Sequence, residues 1–329
     1  MTTRRNTLLT AASLAAAGLT AGPARAQSFP DRPVRLVVGY PPGGNVDFTA
    51  RLLQPAMSQA LGQQVMVDNR AGAGGIVGTD LVAKARPDGY TMLLTGTAPV
   101  SIFPVAMAHL PYDPLRDFAP IGMAYRVPIV MMVAKDITTR TLEEFVARAK
   151  ATPGGMSAGT AGIGSGAHLA IELFNAGTGA GLVHVPYRGT GPALNDLIAG
   201  NIPVVFDQLS SALPLHADGR ARIIGIASAS RSPLLPDVQT LREAGLVQAE
   251  LSTTLGYLAP AGTPAPVVQK LAAALAAALA DPTVRERLTS LGATIPPASD
   301  ITPAYYDRVI RDELDIYREA VRLGNVKLE

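Results

Sequence analysis

One layout constrains this chain more than any other: a short apolar strand that enters a helix through prolines and glycines, met twice. The first copy is Val34-Arg35-Leu36-Val37-Val38-Gly39-Tyr40-Pro41-Pro42-Gly43-Gly44-Asn45-Val46-Asp47. The second runs from Met156-Ser157-Ala158 through Gly159-Thr160-Ala161-Gly162-Ile163-Gly164-Ser165-Gly166 into the helical Ala167-His168-Leu169-Ala170-Ile171-Glu172-Leu173. A helix that starts this way leaves its first N–H groups turned out of the loop, where the positive end of the helix dipole favours an anion. Two such cradles in two halves of one chain suggest a ligand gripped from both sides.

The alternation around these cradles sets the fold class. Val46–Leu61 carries apolar residues at helical spacing and stops at Gly62, with Pro55 expected to kink it. Val65–Val67 reads as the next strand, Asn69–Gly75 as a loop, Ile76–Ala85 as a helix and Tyr90–Thr95 as a third strand, giving βαβαβ and a parallel sheet. Gly96–Pro128 is proline-rich and irregular. A strand from Ile129 to Val133 opens a second series, in which Thr141-Leu142-Glu143-Glu144 is a capping box and Val183–Val185, Val204–Phe206 and Ile223–Ala227 are strands. After the strand-like Leu251–Leu258 the chain is helical, over Pro266–Ala280, Pro282–Leu291 and Pro303–Leu323. Helices with no strand after them must cover a sheet already made, so they are expected to return to the first domain. The expected division is 27–128, 129–251 and 252–329, the last completing the first domain.

Met1–Ala26 reads as an export signal: Arg4-Arg5, a mildly apolar run from Leu8 to Leu19, and Ala24-Arg25-Ala26 before Gln27. The paired arginines ahead of so mild a run suit the twin-arginine route, and a periplasmic location is expected. Removing this segment takes basic residues from 28 to 25 against 26 acids, so the formal +2 of the whole chain becomes −1. No lysine and arginine cluster of the kind a nucleic acid needs is present. Cysteine is absent, which excludes disulfides, thiol nucleophiles and thiolate metal sites.

The search for chemistry is mostly negative. His109, His168, His184 and His216 show no metal-ligand spacing, and no cofactor is expected. Ser165 with His168 offers a nucleophile and a base, but no Gly-x-Ser-x-Gly elbow surrounds the serine. Gly72-Ala73-Gly74-Gly75-Ile76-Val77-Gly78 misses the dinucleotide fingerprint and reads as a helix-entry loop. Asp47 reads as a loop-fixing carboxylate more than a ligand contact. Asp207, ending a strand, suits either a ligand contact or a helix cap, and Arg188 either an anion partner or an exposed loop residue.

The run Pro41–Asp47, with Ala50-Arg51, Asp68-Asn69-Arg70, Pro87-Asp88-Gly89-Tyr90, Pro111-Tyr112-Asp113-Pro114, Gly162-Ile163-Gly164-Ser165 with His168, His184-Val185-Pro186-Tyr187-Arg188-Gly189 and Ala259-Pro260-Ala261-Gly262-Thr263-Pro264, resembles the Bug family of periplasmic solute-binding receptors. The resemblance implies a two-domain α/β periplasmic binding protein of type II-like architecture. Each domain would hold a mostly parallel sheet flanked by helices, joined to the other by crossing strands and closing on a small organic carboxylate. It implies a monomer that delivers its ligand to the membrane subunits of a tripartite tricarboxylate transporter, with no reaction catalysed. The rival readings are an exported hydrolase using Ser165 and His168, and a receptor that signals to a sensor. Carried over by position, the resemblance implies that Tyr40, Pro42, Gly43, Gly44 and Asp47 with Thr95, Thr97 and Ala98 would form one wall of the site, and Thr160, Gly162, Gly164, Ser165, His168, Thr190 and Asp207 the other, with Arg188 as an outer contributor. Two places depart from the family pattern: Pro99–Pro104 lacks the His and Asn often found there, and Thr254 stands where an aromatic residue is common.

Overall fold

The computed structural model describes residues 29–248, 250–324, 326 and 328, so the expected export segment lies outside the described residues. In the first domain, β1 (Val34–Val38) pairs in parallel with β2 (Val65–Asn69) and β3 (Thr91–Thr95). Its near-continuous valines and leucine suit a strand covered on both faces, and Val34, Leu36, Val37 and Val38 are fully buried. The crossovers are α1 (Asn45–Leu61) and α2 (Ile76–Ala83). Helix α1 buries Val46, Ala50, Leu53, Met57 and Leu61 at spacings of three and four, and ends at Gly62 in the left-handed conformation. Pro55 lies inside it, and the helix runs on as one element.

The irregular region holds more structure than its prolines suggest. A π-helical turn (Ala98–Ile102) and a short α3 (Phe103–Ala106) follow β3, and then β4 runs for 17 residues from Phe118 to Ala134. The expected strand at Ile129–Val133 is only its second part. Pro120 and Pro128 hid the first part. The register against β9 (Ser252–Pro260) shifts between Pro120 and Gly122 and again between Met123 and Tyr125, while Pro128 closes that pairing opposite Ser252.

Strand β4 is what joins the two sheets. From Phe118 to Pro128 it pairs with β9, and from Ile129 to Ala134 it lies between β7 (Val204–Gln208) and β8 (Ala221–Ile226). The second domain adds β5 (Ser157–Thr160), paired in parallel with β6 (Val183–Pro186) and with β7. Among the described residues the strand order is β2-β1-β3-β9-β4-β7-β5-β6, with β8 beside β4. The sheet is mixed, and each antiparallel pairing involves β4 or β9: β3 with β9, β9 with β4, and β4 with β7 and β8. Helices α4 (Leu142–Lys150), α5 (Gly166–Thr178), α6 (Thr190–Ala199) and α7 (Leu209–Ala217) belong to this half. Half of the expected capping box at α4 forms: the Glu144 N–H donates to the hydroxyl of the N-cap Thr141 at 3.1 Å, while the Glu144 carboxylate accepts from the N–H of Arg140, one residue before the cap, at 2.7 Å. Nothing in the alternation announced α7, whose short run contains Pro214.

The C-terminal helices cover the first sheet, with one difference from expectation. Helix α8 (Ala265–Ala280) buries Val268, Leu271, Leu275 and Leu279 and packs on α1; it meets α9 (Pro282–Thr289) at a 73° bend. No single helix among the described residues is long and apolar enough to cross a membrane. Helix α10 (Pro303–Gly324) packs on β4 and the Ala98–Ile102 turn but also on α5, so it straddles both halves instead of staying on the first. Its Tyr306 ring presses on β9 at Gly256, where an added Cβ would stand 2.1 Å from the ring. Only glycine fits there.

Candidate functional site

Strands β1, β2 and β3 run with β4 and strands β5, β6 and β7 run against it, so the two parallel sets point their C-terminal ends toward each other across the crossing strands, and the C-terminal ends of parallel strands are where α/β sheets place ligands. At the end of β1 the backbone passes close under α2: an added Cβ at Gly78 would stand 2.7 Å from the Gly39 Cα. This close approach is what the glycine-rich helix-entry loop serves, and it sets the position of Tyr40, whose hydroxyl packs over Gly75 and whose pKa burial pushes well up. Asp47 is buried and fixes the loop. Its carboxylate accepts from the Gly43 N–H at 2.9 Å and from Asn69 Nδ2 at 2.9 Å, and pairs with Arg51 at 3.0 Å. Burial works against its charge, but these donors outweigh burial and hold the carboxyl below its ordinary value. Pro42, Gly43 and Gly44 stand exposed at the rim, and the N-cap of α1 is Gly44, which has no side chain to close the helix start.

The second cradle is closed by its own side chains. Ser165 is the N-cap of α5: its hydroxyl accepts from the His168 N–H at 3.2 Å and donates to the Gly162 carbonyl at 2.8 Å. A hydroxyl has one proton, and this one is taken. His168 Nδ1 accepts from the Gly164 N–H at 3.2 Å, which leaves its proton on Nε2, 3.6 Å from Glu172. The His168 ring stacks on His184 with centroids 4.0 Å apart, and His184 Nε2 lies 2.7 Å from the hydroxyl of the fully buried Thr160. Burial, and then the neighbouring His168, push His184 down to about 4, so the pair is neutral at pH 7. Ser165 and His168 do not form a nucleophile and base pair, because neither ring nitrogen meets the hydroxyl.

Asp207 is buried at the end of β7, accepting from Thr190 at 3.2 Å and from Ser211 at 2.6 Å. Burial raises its pKa to about 6, against the pull of the two hydroxyls and the Gln208 N–H. Arg188 is exposed.

Several contacts draw the two walls together. Asn45, the first residue of α1, donates from Nδ2 to Gln208 Oε1 at 2.8 Å, while its Oδ1 accepts from Tyr125 of β4 at 3.1 Å. Gln208 is the N-cap of α7 and makes no cap of its own, so the open starts of α1 and α7 meet across the site. A cavity of about 400 Å³ opens beside them, lined by Gly43, Gly44 and Asn45, by Ser210 and Ser211, and by Arg287 of α9. On the other flank the Phe103 ring lies against Gly164, where an added Cβ would stand 2.7 Å from the ring. Thr97 lies at the crossing strands, accepting from the Thr254 N–H at 2.7 Å, and Thr95 is buried beside it with a 3.4 Å bond to the Gly96 carbonyl. Ala98 begins the π-helical turn.

The sequence reading passed over Asn45, His184, Gln208, Ser211 and Arg287. Asn45 and His184 stand inside motifs it quoted, and Gln208 follows a strand-end residue it named. For Arg287, on a distant helix, nothing in the sequence pointed to the site. The two departures from the family pattern prove to be one feature: Ser101, within Pro99–Pro104, donates to the buried Glu313 of α10 at 2.8 Å, and Thr254 donates to its other oxygen. Among the described residues no group of three His, Asp or Glu side chains is placed to hold a metal ion.

Comparison with known proteins places this geometry. The sequence model described as tripartite tricarboxylate transporter family receptor matches residues 49–319. A UPF0065 protein from the tcbD-tcbE intergenic region of Pseudomonas sp. strain P51 is 43% identical over 281 residues, 84% of this chain and 83% of that one. Protein BugT of Bordetella pertussis is 36% identical over 317 residues, 96% of each. Among solved structures, MatC from Rhodopseudomonas palustris with bound malate is 34% identical with a TM-score of 0.81, covering 89% of this chain and all 100% of that one. R. palustris Rpa4515 with adipate is 30% identical with a TM-score of 0.83, covering 91% and 99%. By sequence and by fold, the chain belongs to the tripartite tricarboxylate transporter family of solute-binding receptors.

Proposed function

We propose that this receptor closes its two domains, 27–128 with 252–329 and 129–251, on a small dicarboxylate in the periplasm and delivers it unaltered to the membrane subunits of a tripartite transporter. The observation that carries this reading is the meeting of two open helix starts, α1 at Gly44 and α7 at Gln208, through the 2.8 Å bond from Asn45 to Gln208. Each presents N–H groups at the positive end of a helix, and together they suit the two ends of a small diacid. Asp207, with a pKa near 6, is partly protonated in mildly acidic surroundings and can then donate to a ligand carboxylate instead of repelling it. Arg287 adds a positive charge at the mouth. The malate and adipate held by two structural relatives support the ligand class.

A thermal-shift screen of mono-, di- and tricarboxylates on the mature protein tests the reading. The expected result is a cluster of dicarboxylate hits, each stabilising by about 2.7 kcal/mol at a hundredfold excess over its dissociation constant. Hits confined to mono- or tricarboxylates, or no hit at all, would overturn it. Recovery of a hit in chemically altered form would revive the hydrolase reading.

A further inference from the structure

A cavity of about 530 Å³ behind the crossing strands takes no part in the ligand site above. Its walls come from both domains: Arg126 and Pro128 of β4, Ser252 of β9, the segment Ile226–Leu234 that follows β8, and Arg285 of α9 with Gly292–Ile295 beyond it. Its volume falls within the ~300 to 1,000 Å³ range of small-molecule sites.

Four charged residues line this cavity, and they are not equivalent. Arg231 pairs with Glu243 at 2.9 Å, and Glu250 faces Arg242 at 3.7 Å, so those charges are answered. Among the described residues Arg126 and Arg285 have no carboxylate within ion-pair distance, and Arg285 reaches only the Leu279 carbonyl, at 3.3 Å. The Arg126 Nε is buried and has no hydrogen-bond partner. Glu313, whose carboxylate accepts from Ser101 and Thr254, lies within the field of Arg126 but not within ion-pair distance of it. Leaving a buried N–H without an acceptor costs roughly 1–3 kcal/mol, more for a charged group. The Nε itself is closed to solvent and so to a ligand, but Arg126 is half-buried and lines the cavity, and a guanidinium's fork of N–H groups suits a planar or tetrahedral oxyanion. One lining hydroxyl completes the set: Ser232 accepts from the Leu234 N–H at 3.3 Å, which leaves its own proton to donate.

We propose that this cavity is a second ligand site, for a small multivalent oxyanion, a polycarboxylate or phosphate, held by Arg126 and Arg285. The site shares α9 and the turn after it with the front cavity, but no lining residue, and the proposal does not depend on which solute that front cavity takes.

The chain has no cysteine, so single cysteines label cleanly. An environment-sensitive dye on Ser230→Cys reports the rear cavity, and the same dye on Ile163→Cys, 65% exposed beside the second cradle, reports the front cleft. Citrate and inorganic phosphate are titrated separately against each labelled mature protein. The expected result is a saturable signal at Ser230→Cys, weakened about tenfold or more by Arg285→Gln and by Arg126→Gln. Whichever anion binds more tightly identifies the oxyanion class. Arg285 is exposed, so Arg285→Gln keeps the test valid even if Arg126→Gln fails to fold. No saturable signal with either anion would overturn the proposal. So would a signal that Arg285→Gln leaves unchanged, because it would then be relayed from the front cleft.

Discussion

The loop into α1 holds its shape with charge, and the loop into α5 with hydroxyls and a neutral ring pair. In the first, the buried Asp47 carboxylate gathers Gly43, Asn69 and Arg51, and the helix start itself stays open. In the second, Ser165 caps the helix, and His168, His184 and Thr160 knit the loop to β6. Both loops have the same strand, glycine and helix layout. The layout is shared but the caps differ: Ser165 takes one of the free N–H groups at the start of α5, whereas no side chain takes one at the start of α1. Among the described residues the starts of α1, α2, α6 and α7 all lack a side-chain cap; α1 and α7 are the pair joined by the Asn45–Gln208 bond, and α7 is one the sequence did not announce.

The largest effect should come from breaking the charged loop. Asp47→Ala removes the acceptor for three donors and is expected to cost about 2 to 3 kcal/mol of stability, below the ~3–5 kcal/mol for breaking a fully buried pair because Arg51 is half exposed. Ligand affinity should fall with it, since the Pro41–Gly44 loop loses its anchor. Chemical denaturation with calorimetry of a bound dicarboxylate measures both. Unchanged affinity would mean that the loop keeps its shape without the carboxylate.

Next comes the pH dependence of the second domain, where two groups work in opposite directions. Asp207 has its pKa raised from 3.8 to about 6, so between those values the folded chain keeps a proton that the unfolded chain releases. That contribution to stability fades as pH rises toward 6. His184 is lowered from 6.5 to about 4, so in that window the unfolded chain takes up a proton that the folded chain refuses, and stability falls as pH drops from 6.5 toward 4. The two slopes offset each other in the wild-type chain. Asp207→Asn should stabilise the fold by about 1 to 2 kcal/mol at pH 8 and steepen the loss on acidification. His184→Gln should do the reverse to the slope. Melting temperatures from pH 4 to 8 separate the variants, and parallel curves for all three proteins would refute the assignment.

Ser165→Ala sharpens the contrast between the loops. Loss of the cap should cost about 1 kcal/mol of stability. Affinity for a dicarboxylate should change less than twofold, because the hydroxyl proton already belongs to Gly162. A tenfold loss of affinity would instead make Ser165 a direct ligand donor. Arg188→Gln should have the smallest effect, within about 0.5 kcal/mol on stability and binding alike, as expected of an exposed residue.

Sequence alone determined the strand and helix alternation, because buried parallel strands and amphipathic crossovers each carry their own periodicity, as in Val34–Val38 and Val46–Leu61. It also determined the loops at which the walls would be built, since Gly39 and Gly43–Gly44 mark close approach and an open helix start in any context. It missed the first eleven residues of β4, since propensity disfavours Pro120 and Pro128 in a strand, whereas Pro120 stands at a register shift against β9 and Pro128 where β4 passes from β9 to β7 and β8. Only the tertiary structure decided which polar groups are spent and which are free. Ser101, Thr254 and Glu313 lie in three separate stretches, yet they share one buried carboxylate between β9 and α10. Asn45 and Gln208 stand 163 residues apart, yet their side chains meet at 2.8 Å. A hydrogen bond depends on distance in space and on whether its proton is already committed, and neither quantity is written in the order of the residues.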